Sequence, residues 1–219
     1  MLQHVFERAC QARYVNKVVI ATDDPRIQDA ARRFGAPVRM TRTDHQSGTD
    51  RVAEVAESEN AEVVVNIQGD EPLLDPDAID AAVLAVTADD DIEMATLAKR
   101  IEHPAELADP NVVKVVSNLA GDAIYFSRSP IPHVREGGAP HFKHIGLYVY
   151  RRDFLLAYSG LRVGPLEQAE RLEQLRALEN GHRIRVVETD YESFGVDTPE
   201  DLERVAMLFE PTLLSRSEN

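Results

Sequence analysis

The stretch NKVVIATDDPRIQDAARRFGAPVRMT, residues 16–41, holds a complete strand–helix–strand unit and decides the fold class. Its first apolar run predicts a strand near 17–22. Asp24 then stands at the N-cap position and Pro25 at the first helical position, where the missing proline N–H is not needed. Gly35 lies just past the helix end and a second strand follows at once. Upstream, residues 1–12 read as an amphipathic helix with Leu2, Val5, Phe6 and Ala9 on one face. Downstream, SGTDRVAEVAESEN (47–60) repeats the device, with Ser47 and Asp50 three apart as in a capping box. The strand EVVVNIQ (62–68) and a helix opened by Asp75-Pro76 come next, and MATLAKRI (94–101) is a further strand. Apolar strands alternating with helices imply an α/β fold with a mostly parallel sheet, buried on both faces.

From about residue 112 the pattern changes. NVVKVVSNLAGDAIYFSRS (111–129) reads as two strands joined by a turn from Asn118 to Asp122, and HFKHIGLYVY (141–150) is a strand with no helix before it. Residues 112–164 are therefore expected to form an antiparallel insertion. One helix is predicted over GPLEQAERLEQLRALENG (164–181), ended by Gly181, then the strand RIRVVE (183–188) and the helix TPEDLERVAMLF (198–209), with Thr198 as cap and Pro199 first in the helix. The tail SRSEN is expected to fray. With no linker or repeat in view, residues 1–219 are expected to form a single domain.

Composition narrows the functional classes. Lys and Arg total 24 against 38 Asp and Glu, a net charge of −14, which disfavours nucleic acid or an anionic membrane as partner. The one cysteine, Cys10, has no intrachain mate, and no apolar run approaches the ~20 residues of a membrane span. A cytoplasmic protein is expected.

In open parallel sheets, ligands sit beyond the carboxyl ends of the strands. Gln68, Gly69, Asp70 and Glu71 follow such an end, and Asp197 in FGVDTPEDL precedes a helix far along the chain. Two carboxylates over one crevice, with substrate phosphates, form the ligand inventory that magnesium favours. The plainer alternative is that Asp70 caps local amides and Asp197 is an acid at a helix start. His141 and His144, three apart on a strand, point to opposite faces and do not suit one shared metal ion. Lys114, in VVKVV, either approaches a phosphate or pairs with an acid, and stays outside the candidate site.

The order of MTRTDHQSGTDRVAEV (40–55), VVNIQGDEP (64–72), PNVVKVV (110–116), YFSRSPIP (125–132), HIGLYVYR (144–151), PLEQAERLEQLRALENG (165–181) and GVDTPEDLERV (195–205) resembles the 3-deoxy-manno-octulosonate cytidylyltransferase (CMP-Kdo synthetase) family over residues 1 to about 207. The resemblance implies a Rossmann-like nucleotide-diphospho-sugar transferase fold whose antiparallel part serves dimerisation. It also implies coupling of CTP to Kdo with release of pyrophosphate, for lipopolysaccharide biosynthesis, by a homodimer that requires Mg2+. Carried over by motif, Asp70 and Asp197 are the catalytic, metal-binding carboxylates. Gln46, Ser47, Gly48 and Thr49 border the nucleotide, and Gln68, Arg128, His144, Tyr148, Glu173 and Gln174 face the sugar. Capping alone would also account for Ser47, and an ordinary surface ion pair for Arg128.

Members of the family carry a first strand and a loop resembling ARxxSxRLPGKPL before the helix that opens this sequence. That departure leaves two alternatives to the enzyme reading: a noncatalytic remnant that dimerises or binds sugar, and a cytidylyltransferase for a related keto-sugar acid such as amino-Kdo or sialic acid.

Overall fold

The computed structural model describes residues 1–196 and 198–214, with side chains to residue 209. The strand–helix–strand unit forms as β1 (Ile20–Thr22), α2 (Pro25–Arg33) and β2 (Val38–Met40), after α1 (Leu2–Ala9). Asp24 accepts a hydrogen bond from the Arg26 N–H at 2.8 Å, and Gly35 turns the chain with φ 76°, in the region that favours glycine. β1 and β2 pair in parallel, Ile20 opposite Val38. The same grammar builds α3 (Gly48–Glu57), capped by Ser47, then β3 (Val63–Asn66), and α4 (Pro76–Thr87), capped by Asp75, before β4 (Met94–Arg100). After a short α5 (Pro104–Ala108) comes the expected hairpin of β5 (Lys114–Ser117) and β6 (Ala123–Ser127). Its turn is held by the Asn118 side chain, which accepts from the amides of Ala120 and Asp122, with Gly121 at φ 83°.

β7 (Phe142–Arg151) organises the main sheet. One of its edges takes β4 along nearly the whole length; the other takes β5 at its start and β3 at its end, all antiparallel. β8 (Ile184–Glu188) pairs in parallel with β4, giving the order β6-β5-β7-β4-β8 with β3 on β7. β3, β4, β5 and β8 thus run one way and β6 and β7 the other. β7 is antiparallel, as expected of residues 112–164, yet it lies in the middle of the sheet. β1 and β2 form a separate two-stranded sheet. α3 packs against both β1 and β3, spanning the two sheets, and its Arg51 donates to Asp23 at the end of β1 and to Thr41 after β2.

Alternation along β7 divides the core. Ile145, Leu147 and Val149 pack with α1 and α4 on one face, while Tyr150 joins Phe126, Phe154 and Tyr158 on the other, beneath α3 and α6 (Arg152–Tyr158).

The single helix expected over 164–181 is instead two, α7 (Pro165–Glu170) and α8 (Leu175–Glu179). Arg171 adopts a left-handed conformation, φ 54° and ψ 46°, and breaks the run. Apolar periodicity did not reveal this, because the break is held by charges. Glu179 folds back to accept the N–H groups of Leu166 and Glu167 at the open end of α7 (2.9 and 3.0 Å), and Arg176 grips the Glu167 carboxylate with two bonds. The last helix, α9 (Pro199–Leu214), opens with the expected cap, Thr198 Oγ1 accepting from the Asp201 N–H at 3.1 Å. The tail SRSEN lies outside the described residues. Among the described residues no helix is long and apolar enough to cross a membrane.

Candidate active site

The loops that leave β3 and β8 meet. The Val196 N–H donates to the Asp70 carbonyl at 3.1 Å, and Tyr191 donates its hydroxyl to Glu71 at 3.0 Å. Burial raises the Glu71 carboxyl above its ordinary range, against the hydrogen bonds from Ser193 and Tyr191. Asp70 Oδ1 is buried and finds no hydrogen-bond donor among the described residues. Such an oxygen is costly to leave bare, and a cation would satisfy it. Asp197, its expected partner, lies outside the described residues. Among the described residues no three His, Cys, Asp or Glu side chains gather into a metal site.

A second cluster forms where α3 begins. Ser47 Oγ accepts the Asp50 N–H at 3.1 Å and donates to Glu173 Oε1, also at 3.1 Å. The backbone break between α7 and α8 thus turns the Glu173 carboxylate toward the α3 N-terminus, while Gln174 beside it is buried. Burial raises the Glu173 carboxyl; the Ser47 hydrogen bond and Arg176 oppose that rise. Buried Thr49 accepts from Asn66 Nδ2 at 3.4 Å, and exposed Gln68 donates to Asn66 Oδ1 at 3.5 Å. A Cβ on Gly48 would touch the Gln68 amide at 3.7 Å, so the loop and the β3 end are neighbours. Gln46 is exposed and donates to the Asp44 carbonyl.

The sheet supplies the floor. Tyr148 lies opposite Asn66 across one edge of β7 and opposite Thr96 across the other. Its ring centroid is 5.4 Å from that of His144, whose Nε2 meets Thr96 Oγ1 at 2.9 Å and whose ring meets the Phe126 ring edge-on. Desolvation lowers the His144 pKa to about 3, so the ring is neutral at physiological pH, and it pushes the Tyr148 phenol up. His141 instead contacts the Pro132 carbonyl.

Arg128, at the end of β6, donates from Nε to the Glu170 carbonyl (2.8 Å) and from Nη1 to the Pro110 carbonyl (3.0 Å), and Nη2 has no acceptor among the described residues. The structure therefore links residues 47–49, Gln68, Tyr148, His144 and Glu173 through direct contacts, with Arg128 two residues beyond Phe126 and Asp70 just after β3. Asn66 and Thr96 were missed in the sequence. Their only signal is a polar residue set inside an apolar strand, VVVNI and MATLA.

A sheet with carboxylates and a capped helix start at its strand ends is the architecture of an α/β nucleotidyltransferase. The fold is shared with 4-diphosphocytidyl-2C-methyl-D-erythritol synthase from Anaerococcus prevotii, at TM-score 0.62 and 10% identity, covering 95% of this chain and 88% of that one. The family model described as "Cytidylyltransferase" matches residues 1–184. A 3-deoxy-manno-octulosonate cytidylyltransferase from Solibacter usitatus is 69% identical over 216 residues, 98% of this chain and 86% of that protein. A solved structure of CMP:2-keto-3-deoxy-manno-octonic acid synthetase complexed with CTP superposes at TM-score 0.92 with 46% identity, covering 96% of this chain and 88% of the other. The chain belongs to the 3-deoxy-manno-octulosonate cytidylyltransferase family.

Proposed function

We propose that this protein transfers the cytidylyl group of CTP to Kdo, giving CMP-Kdo and pyrophosphate for lipopolysaccharide biosynthesis. The observation that carries the reading is the Ser47–Glu173 hydrogen bond, which brings the segment assigned to the nucleotide against the segment assigned to the sugar. Family membership and the CTP-bound relative support it.

In the reaction, the anomeric hydroxyl oxygen of Kdo forms a bond to the α-phosphorus of CTP as the bond to pyrophosphate breaks, and the hydroxyl proton is lost. Ser47, Gly48 and Thr49 present the amides of the α3 N-terminus to the nucleotide, beside Gln46. Arg128 offers Nη2 to the sugar carboxylate, with Gln68, neutral His144, Tyr148, Glu173 and Gln174 around the sugar. Holding the two reactants in line supplies much of the acceleration. Asp70, together with Asp197, would hold Mg2+, and the buried, unpartnered Asp70 Oδ1 fits that role. When bound, the ion neutralises phosphate charge.

The working form is a homodimer in the cytoplasm. Fully exposed Leu119 and half-exposed Ile124 on the β5–β6 hairpin support a subunit contact there. Pyrophosphate release from CTP tests the whole reading: it is expected to require both Kdo and Mg2+. Asp70→Asn is expected to lower turnover on the order of 100-fold while leaving the thermal melt cooperative. Wild-type turnover in that variant would overturn the assignment.

A further inference from the structure

The side chain of Lys114 is fully buried, and its ammonium donates to three main-chain carbonyls: Asp109 at 2.9 Å, Val112 at 2.6 Å and Arg128 at 2.6 Å. Three acceptors match the three N–H donors of a charged lysine. Burial pulls this ammonium below the usual lysine range, a penalty that an apolar side chain of similar volume would not incur. Packing alone therefore does not account for a lysine here.

The partners show what the charge does. The 109–112 turn carries the Pro110 carbonyl that accepts from Arg128 Nη1, and the third carbonyl on Lys114 is that of Arg128 itself. Lys114 thus ties the backbone from which the guanidinium departs to the turn on which it rests. Glu170 closes the opposite side. Its carboxylate accepts from Ser127 Oγ at 2.6 Å and from the Arg128 N–H at 2.9 Å, and its carbonyl accepts from Arg128 Nε. Burial would raise the Glu170 carboxyl, yet the hydrogen bonds from Ser127 and the Arg128 N–H hold it below the usual range, so a carboxylate closes the clamp on that side.

We propose that Lys114 is a positioning residue for the transfer reaction: by locking the 109–112 turn to the Arg128 backbone, it aims the guanidinium at the carboxylate of the sugar acid. This rests on the assignment of Arg128 to that carboxylate. It brings into the reaction a residue that touches neither substrate.

Steady-state kinetics with each substrate varied separately test it. Lys114→Met is expected to raise KM for Kdo on the order of ten-fold while KM for CTP stays within about twofold. A lysine that served only stability would leave both KM values alone and reduce the amount of active protein. In an Arg128→Lys background the same change is expected to add less than about twofold, because the group that it aims is already gone. Equal effects on both substrates, no effect on either, or full additivity in the double variant would overturn the proposal. If Lys114→Met does not fold, Lys114→Gln, which keeps two N–H donors, carries the same comparison; failure of both to fold would make the lysine structural and overturn the proposal as well. The Arg128→Lys chain separates the two layers of the argument. If its KM for Kdo is unchanged, the Arg128 assignment falls and this inference with it. If that KM rises while the Lys114 variants behave as wild type, the inference alone fails.

Discussion

Packing against β4 and the Phe126 and Tyr148 rings brings the His144 pKa from its usual 6.5 down to about 3, because charging the ring there means taking a cation out of water. Between those two values the unfolded chain binds a proton that the folded chain does not. Stability is therefore fully present above pH 6.5 and declines as pH falls toward 3. At pH 5 the loss from this one group reaches at most about 2 kcal/mol, from 1.36 kcal/mol per pH unit over 1.5 units. Replacing His144 by Gln is expected to flatten that part of the profile, seen as a smaller drop in urea midpoint between pH 7 and pH 5. An unchanged drop would show that the ring is not the titrating group. What the sequence disclosed at this scale was local. Ser47, Asp24 and Asp75 were legible as caps because their partners lie two or three residues away. The Ser47–Glu173 bond was not, since its ends are 126 residues apart.

Among the elements, the turn between α7 and α8 departs furthest from expectation, and the Glu179 carboxylate is what closes the open end of α7 there. Glu179 occupies the space that a side chain on Gly164 would need: an added Cβ would lie 2.3 Å from its carboxyl group. Gly164→Ala must therefore expel the cap from the α7 N-terminus, and Glu179→Ala removes it outright. Each is expected to cost about 1–2 kcal/mol. The double variant is expected to cost little more than either single one, because the same interaction is lost once. Urea unfolding of the four chains measures this; additive losses would mean that the glycine and the glutamate act separately. A helical wheel drawn through Leu172 places Glu173 at the edge of an apolar arc, but a wheel assumes the continuous backbone that Arg171 interrupts. Periodicity reports the apolar face of a segment and is silent on charges that reach back across it.

For the molecule as a whole, strand identity was easier to read than strand placement. HFKHIGLYVY is a strand in both readings, and its alternation is plain, yet nothing within it announces that β4 lies on one edge and β3 and β5 share the other. Those pairings join segments distant along the chain, and the sequence carries them only as compatible apolar faces. The separation of β1 and β2 from the larger sheet has a consequence for amide exchange. That small ladder has three facing residue pairs; α2 and the Leu2 and Phe6 side chains of α1 pack against its small core, and α3 and the Arg51 fork also hold it. Its protons, such as those of Ile20 and Thr41, are expected to trade for deuterium through an opening that leaves β4 and β7 closed, and to do so faster still in Arg51→Ala. Equal protection throughout would mean that the protein opens only as one unit. If the smaller ladder does open alone, the wall beside the loop proposed to hold the nucleotide loosens while the floor beneath the proposed sugar site stays rigid.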